Sequence, residues 1–290
     1  MELKKIMDIL QCPACKGEPA LVRNENKLIC TVCHAEYRLV DDVPIFLDDD
    51  RFASYSSYNP DSDEIVSSFR KRLGFVPSRT GWTDKSIFDY VNGVGKAGLI
   101  LNLGSGMGRF DKMIEHEMIN LDVSLNDGTD IIADAHKFPI KDNSLDCVFS
   151  NAVLEHLKRP WLVAEEMYRV LKSNGLVCIN VPFLNVGHED HDYHRFTGDG
   201  LRSVFHQFRE IKAGPSSGPG SFAAYFLPEY IALFFPSSKV RTGIRYAFAL
   251  LCLPLKHFDP FLKKRDRYSI IADAFYFVGR KAGTMPEERS

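Results

Sequence analysis

No apolar run in this 290-residue chain reaches the roughly 18 residues a membrane span needs. The opening MELKKIMDIL also lacks the long apolar core and small-residue cleavage site of a secretory signal, so a cytoplasmic protein is expected. Charge of one sign is missing too. The formal net charge is −2, which creates no global field to gather phosphate-rich polymers, and nucleic-acid binding would need a local basic patch. Internal repeats and low-complexity tracts are absent, which sets aside solenoids and disordered scaffolds. What is present is 45% apolar and 26% charged composition, enough for one good core and a small satellite domain.

The seven cysteines divide unevenly. Cys12, Cys15, Cys30 and Cys33 form C-x2-C-x14-C-x2-C, whereas Cys147, Cys178 and Cys252 stand alone in apolar surroundings and read as small buried hydrophobes. Each C-x2-C pair can sit on a tight turn that points two thiolates at one ion, and NENKL lets the chain double back to complete a tetrahedron. A disulfide pair or a redox C-x-x-C is the alternative, but two such pairs without a secretory signal favour zinc. Four cysteines leave no open coordination position, so the zinc is expected to be structural. The pattern CPACKGEPALV…LICTVCHAEYRLVDDVPIFL, residues 8 to 47, resembles the zinc-ribbon family that includes the small activator subunit of eukaryotic tRNA and release-factor methyltransferases. The resemblance implies a ribbon that supports a methyltransferase. Over residues 1–47 six Lys and Arg face seven Asp and Glu, so no basic footprint for RNA is present.

Residues 48–95 mix acidic, Ser and Pro residues with short aromatic clusters and read as a linker followed by one or two covering helices. In LILNLGSGMGRFDKMI, Leu99–Leu103 has the length and apolarity of a buried parallel strand, and Phe110, Met113 and Ile114 recur at helical spacing. Gly104, Gly106 and Gly108 give G-x-G-x-G, which differs from the dinucleotide fingerprint by placing its third glycine one residue earlier; NAD is disfavoured. Asp122 ends the next apolar segment, where a second parallel strand would carry a carboxylate to ribose hydroxyls. Asp134 and Ala135 follow DIIA, and LDCVFSN supplies a fourth strand. Three successive strand ends with Gly-rich, Asp and Asp residues form one nucleoside-sized crevice beyond the carboxyl edge of the sheet.

Together ILNLGSGMGRF, LDVS, IIADAHKFPIKDNSLDCVFSNAVLEHL and EEMYRVLKSNGLVCINVPF, residues 97 to 183, resemble a class I S-adenosylmethionine-dependent methyltransferase of the methyltransferase-11 type. The resemblance implies a doubly wound α/β fold with a mostly parallel seven-stranded, Rossmann-like sheet behind the small N-terminal ribbon. By position, Gly104, Ser105, Gly106 and Gly108 would approach the methionyl part of the cofactor. Asp122 would hold the ribose, Asp134 with Ala135 would meet the adenine, and Asn151 would line the pocket. The family usually has Asp or Glu where this chain has Asn102, so among the cofactor-binding residues an amide would replace the carboxylate contact to the turn or to the cofactor ammonium. Only twelve residues separate Asp122 from Asp134, too few for the usual crossover helix, so that face is expected to be bare or covered by another segment.

The next helix is marked by Pro160 in its first turn, by Trp161, Ala164, Tyr168 and Leu171 on one face, and by Gly175 past its end. LVCINVPF reads as the fifth strand and AFYFVGRK as a last one, which the resemblance implies is the antiparallel strand that closes the sheet. Between them NVGHEDHDYHRFTGDGLRSVF holds His188, His191, Tyr193, His194 and Arg195. Histidine can take a hydroxyl proton near neutral pH, so His191, His194 and His156 of LEHL are base candidates and His188, Tyr193 and Arg195 acceptor-binding ones. Metal binding by H-x2-H-x2-H and a polar loop that positions the following helix, capped by Thr197, are the other readings. The stretch HDYHRFTGDGLRSVFHQF…AGPSSGPGSFAAYFLPEY is similar to methyltransferases of bacterial cell-surface polysaccharide and glycolipid synthesis, which implies O-methylation of a sugar, free or lipid-linked. Residues 237–267 carry eight Lys and Arg against two Asp, interleaved with apolar residues, and could lie on the inner face of an anionic membrane or pack as a helical lid.

The sequence thus divides into a ribbon (1–47), a linker with covering helices (48–95), a cofactor-binding core (96–183) and an acceptor-binding segment with the closing strand (184–290). Methylation of rRNA or tRNA, and a non-catalytic cofactor-binding scaffold whose ribbon recruits a partner, are the competing readings.

Overall fold

The computed structural model describes residues 3–15, 21–56, 86–95, 98–106, 113–184 and 191–282. Its N-terminal part has a short helix, α1 (Leu3–Ile6), and a four-stranded antiparallel meander: β1 (Leu21–Asn24), β2 (Lys27–Cys30), β3 (Glu36–Val40) and β4 (Val43–Pro44). The helices α2 (Asp49–Ser56) and α3 (Ser86–Asn92) follow. The main sheet contains β5 (Ile100–Leu103), β6 (Met118–Asp122), β7 (Ile131–Ile132), β8 (Leu145–Asn151), β9 (Leu171–Pro182), β10 (Arg209–Ser217) and β11 (Ala274–Arg280). Their order is β10-β11-β9-β8-β5-β6-β7, with β5 to β9 parallel and the β11 pairings antiparallel. This is the seven-stranded, doubly wound arrangement expected. The order reverses at β5, which has β6 on one side and β8 on the other, so ligands are expected beyond its carboxyl end.

Every residue of β5 is buried and β8 is nearly so, as an interior parallel strand covered on both faces requires. Helix α4 (Pro160–Val170) starts on Pro160 and buries Val163, Ala164, Met167 and Val170. Trp161 turns away from that face and is about half exposed, and Gly175 lies within β9 rather than at the helix end. Helix α5 (Gly198–Val204) is capped as expected, with Thr197 Oγ1 accepting from the Gly200 amide at 3.0 Å. The helix expected after the glycine turn is not continued through Met113 and Ile114, which lie in turn and irregular backbone; residues 107–112, including Phe110, lie outside the described residues.

No helix occupies the span between β6 and β7. Instead the N-terminal meander extends the sheet there. Ile45 bridges Ile132 in parallel, the Phe46 amide donates to the Ile132 carbonyl at 2.8 Å, and Leu10 bridges Ile140. Leu3, Ile6, Leu10, Leu28 and Leu39 share one apolar cluster with Leu101, Leu121, Ile131 and Ile140. The small module and the sheet have a common core.

Between β10 and β11 the chain inserts α6 (Pro219–Ala232), α7 (Ser238–Cys252) and α8 (Asp259–Leu262) with intervening 3-10 turns. Among the described residues no helix is long and apolar enough to cross a membrane.

Candidate active site

The four expected metal ligands converge. One Sγ atom from each of Cys12, Cys15, Cys30 and Cys33 lies within 4.8 Å of the others, with Cys12 to Cys33 at 3.6 Å and Cys15 to Cys30 at 3.7 Å. These separations are too long for an S–S bond of about 2.05 Å. They match the edge of a tetrahedron with Zn–S bonds of about 2.3 Å. The donor set fits a structural zinc. Burial raises the Cys30 thiol, but the amides of Cys33 and Val32, each 3.5 Å from its sulfur, outweigh it and bring the group down to about 6. Tyr37, raised by burial and by Cys12, keeps its hydroxyl proton and donates to Cys12 Sγ at 3.1 Å. Cys147 and Cys178 are fully buried in β8 and β9; contact with Cys178 together with burial pushes the Cys147 thiol up, which leaves it inert.

The glycine turn leaves β5 with φ of +69° at Gly104 and +51° at Gly106. Only glycine fits the first position, since a Cβ there would stand 2.2 Å from Val153 Cγ2. At Gly106 a Cβ would meet nothing within 4 Å, so the turn is packed on one side and open on the other. The Gly104 amide donates to the Leu121 carbonyl (2.8 Å) and the Gly106 amide to Asp122 Oδ2 (2.9 Å), while Asp122 Oδ1 accepts from Ser124 N (3.0 Å). A carboxylate offers about four lone-pair sites. Two remain on the partly exposed Asp122 for further donors. Ser105 is buried and its Oγ has no hydrogen-bond partner among the described residues, which suits a polar ligand in the turn. These residues fit a sulfonium nucleoside. Gly108 and His188 lie outside the described residues.

Asn102, the amide that stands where the resemblance puts a carboxylate toward the turn or the cofactor ammonium, has its Nδ2 turned to the neighbouring strand. It is buried, and its Nδ2 donates to Oδ1 of Asn120, the residue at the same register of β6, at 2.9 Å. Asn120 Nδ2 donates in turn to the Gly128 carbonyl, and its amide to Asp130 Oδ2. The amide pair therefore braces the β5–β6 floor. Asp134 is engaged as well: Oδ1 accepts from the His136 amide (2.9 Å) and meets its Nδ1 (2.7 Å), and Oδ2 pairs with Arg51 of α2 (2.7 Å). Burial raises the Asp134 carboxyl, yet His136 and Arg51 together hold it below its ordinary value. Ala135 is buried beside it, and Asn151 Oδ1 accepts from Asn180 across β8 and β9 (2.9 Å). Arg51, His136 and Asn120 were not singled out by the sequence. Arg51 sat in a segment with no visible chemistry, and Asn120 becomes informative only once the β5–β6 register is known.

The histidine segment folds against the turn after β8. The amides of Tyr193 and His194 donate to the carbonyl of the buried Glu155 at 2.7 and 3.1 Å, and His156 Nδ1 lies 3.4 Å from the His191 carbonyl. Thus His156, His191 and His194 come together at the carboxyl end of β8. The His191 ring stacks on Tyr193 (6.0 Å, 12°), and its Nδ1 meets the Tyr193 hydroxyl at 3.3 Å. His194 sits edge-on to Trp161, its buried Nε2 having no hydrogen-bond partner among the described residues. Arg195 is already paired with Asp192, which raises its guanidinium further. Among the described residues only the four cysteines gather as metal ligands.

Comparison with known proteins agrees with both halves. Residues 101–179 match a methyltransferase domain, and residues 4–42 match the Trm112p-like protein family. A UPF0434 protein of Methylobacillus flagellatus is 41% identical over 46 residues, 16% of this chain and 77% of that protein. An uncharacterized methyltransferase of Mycobacteroides abscessus is 34% identical over 114 residues, 38% of this chain and 38% of the relative's length. Among solved structures, Haemonchus contortus phosphoethanolamine N-methyltransferase 2, in complex with S-adenosylhomocysteine, covers 82% of this chain and 61% of its own. Its TM-score of 0.51 at 15% identity shows a shared fold. The chain belongs to the Trm112p-like family through its N-terminal segment and carries behind it an S-adenosylmethionine-dependent methyltransferase domain.

Proposed function

We propose that this methyltransferase O-methylates a saccharide hydroxyl, with 1–47 as a zinc ribbon, 48–95 as a connecting segment, 96–183 as the cofactor core and 184–290 as the acceptor side. The observation that carries the reading is the clamp of residues 191–195 onto the Glu155 carbonyl, which brings two histidines and two rings to the strand edge beside the glycine turn. Tyr193 and Trp161 are each nearly half exposed and offer flat faces to the apolar side of a sugar ring. When bound, the cofactor supplies an electrophilic methyl group on a sulfonium. Asp122 orients it through the ribose, and the Gly104–Gly106 backbone accepts its close approach. His191 takes the acceptor proton at Nε2, with Nδ1–H donated to the Tyr193 hydroxyl; His156 is the second candidate base. The ribbon's partner in this reading is the chain's own methyltransferase domain, whose free edge at β7 it completes.

The test is incubation of the full chain with labelled S-adenosylmethionine and fractionated cell extract. Label is expected in glycan or glycolipid fractions. His191→Gln should lower kcat by about 10²- to 10⁴-fold with unchanged cofactor affinity. Label confined to RNA, with salt-dependent RNA binding, would replace this acceptor, and cofactor binding without turnover on any fraction would favour the scaffold reading.

A further inference from the structure

The insertion between β10 and β11 stands on the cofactor side of the sheet. Ser217 pairs with Ala274, and Ala274 pairs with Pro182 at the carboxyl end of β9. The start of the insertion is well tied down. Buried Asp259 accepts from the amides of Gly218, Gly220 and Ser221 and from Ser221 Oγ, at 2.6 to 3.2 Å.

Its outer side differs from an ordinary soluble surface. Helix α7 has no buried residue over fifteen positions. Its exposed positions include Val240, Gly243, Ala247, Leu250 and Leu251, which recur at helical spacing as an apolar stripe where a water-facing helix would be polar. Thirteen of the nineteen large apolar side chains exposed among the described residues lie between 226 and 271. Leu233 (73%), Leu251 (72%) and Phe261 (77%) are the most open of them. Along α6 and the turn that follows it, the rings of Phe222, Phe226, Tyr230 and Phe234 form a ladder at 5.2, 5.8 and 5.5 Å.

Charge decides what such a face can meet. Residues 237–267 sum to +6 in a chain of net −2, which leaves −8 over the rest. Lys239, Arg241, Lys263, Lys264, Arg265 and Arg267 are exposed, while Asp259, one of the two acids, is buried. A second copy meeting this patch across a two-fold axis would set like charges against one another. An anionic lipid surface complements both the bases and the apolar stripe, and nothing here is long enough to cross it.

We propose that the outer face of the 218–272 insertion docks on an anionic membrane surface and turns the acceptor edge of the sheet toward the bilayer. The proposal rests on the saccharide reading only for its purpose, since a lipid-carried sugar would be reached from that edge.

The test is flotation of the zinc-loaded full chain with phosphatidylcholine vesicles, with and without phosphatidylglycerol, in the absence of cofactor and acceptor. The chain should partition at least about tenfold better onto the anionic vesicles. Lys263→Glu/Lys264→Glu/Arg265→Glu and, separately, Leu251→Glu/Phe261→Glu should each lose about tenfold in partition, with S-adenosylmethionine affinity by calorimetry unchanged. Failure to float with either vesicle, or equal partition of wild type and variants, would overturn the proposal. So would a wild-type dimer in sedimentation equilibrium that Leu251→Glu/Phe261→Glu dissociates, which would assign the face to a second copy. Because acceptor labelling is a separate measurement, each reading can fail alone.

Discussion

The ribbon and the helical insertion are both attached to the main sheet, and they are attached in opposite ways. The ribbon contributes Ile6, Leu10 and Leu28 to the sheet's own core and continues its backbone ladder through Ile45 and Phe46. The insertion is anchored at its entry by one buried carboxylate, and its longest helix buries nothing. An element that shares a core cannot be removed without exposing that core. An element held at its root can keep an open face for something outside the molecule.

The largest effect that could break this contrast is loss of the metal. Chelation, or Cys30→Ser, should melt the ribbon and the sheet in one transition, because structural zinc contributes on the order of 10 kcal/mol to folding and the two modules share a core. Thermal unfolding followed with zinc release would show it. A sheet that melts unchanged after chelation would make the ribbon an appendage like the insertion.

A smaller effect sets the same substitution in the packed turn of the sheet against one in the open insertion. Gly104→Ala forces a Cβ to 2.2 Å from Val153 at a positive φ, so a loss of about 1–3 kcal/mol and of cofactor affinity is expected. Gly243→Ala, on open α7, meets nothing within 4 Å and should stabilise by about 0.5–1 kcal/mol. Denaturant midpoints give both signs, and equal signs would remove the packing argument.

The smallest concerns Arg51. The Asp134 carboxyl titrates below its ordinary value in the folded chain. Its contribution is therefore present above the ordinary carboxylate range and is lost as pH falls through the folded value. Arg51→Ala should raise that value, detected by NMR titration of Asp134, at a cost below about 1 kcal/mol for a half-exposed pair. An unmoved titration would mean that α2 does not hold the cofactor edge in solution.

Much of this was legible in the string. Strand length and apolarity located β5, β6 and β8 to within a residue, because parallel strands buried on both faces are written as short, mostly apolar runs. The cysteine spacing was sufficient for the four-sulfur cluster, since local turns set it. What depends on distant segments was not legible. Asp134 met Arg51 from 83 residues away, Asn102 turned to a partner defined by register, and Ile45 filled the place of a missing helix. The rotation of α4 that leaves Trp161 at the rim was equally hidden, because helical spacing gives a stripe without saying which neighbour it faces.

The insertion enters after Ser217 and leaves at Asp273, two residues joined by the Ser217 hydroxyl donating to the Asp273 carboxylate at 2.7 Å. A detour of more than fifty residues therefore costs the sheet no change of path. With entry and exit held side by side, the helices between them can move or melt without pulling the sheet's strands out of register.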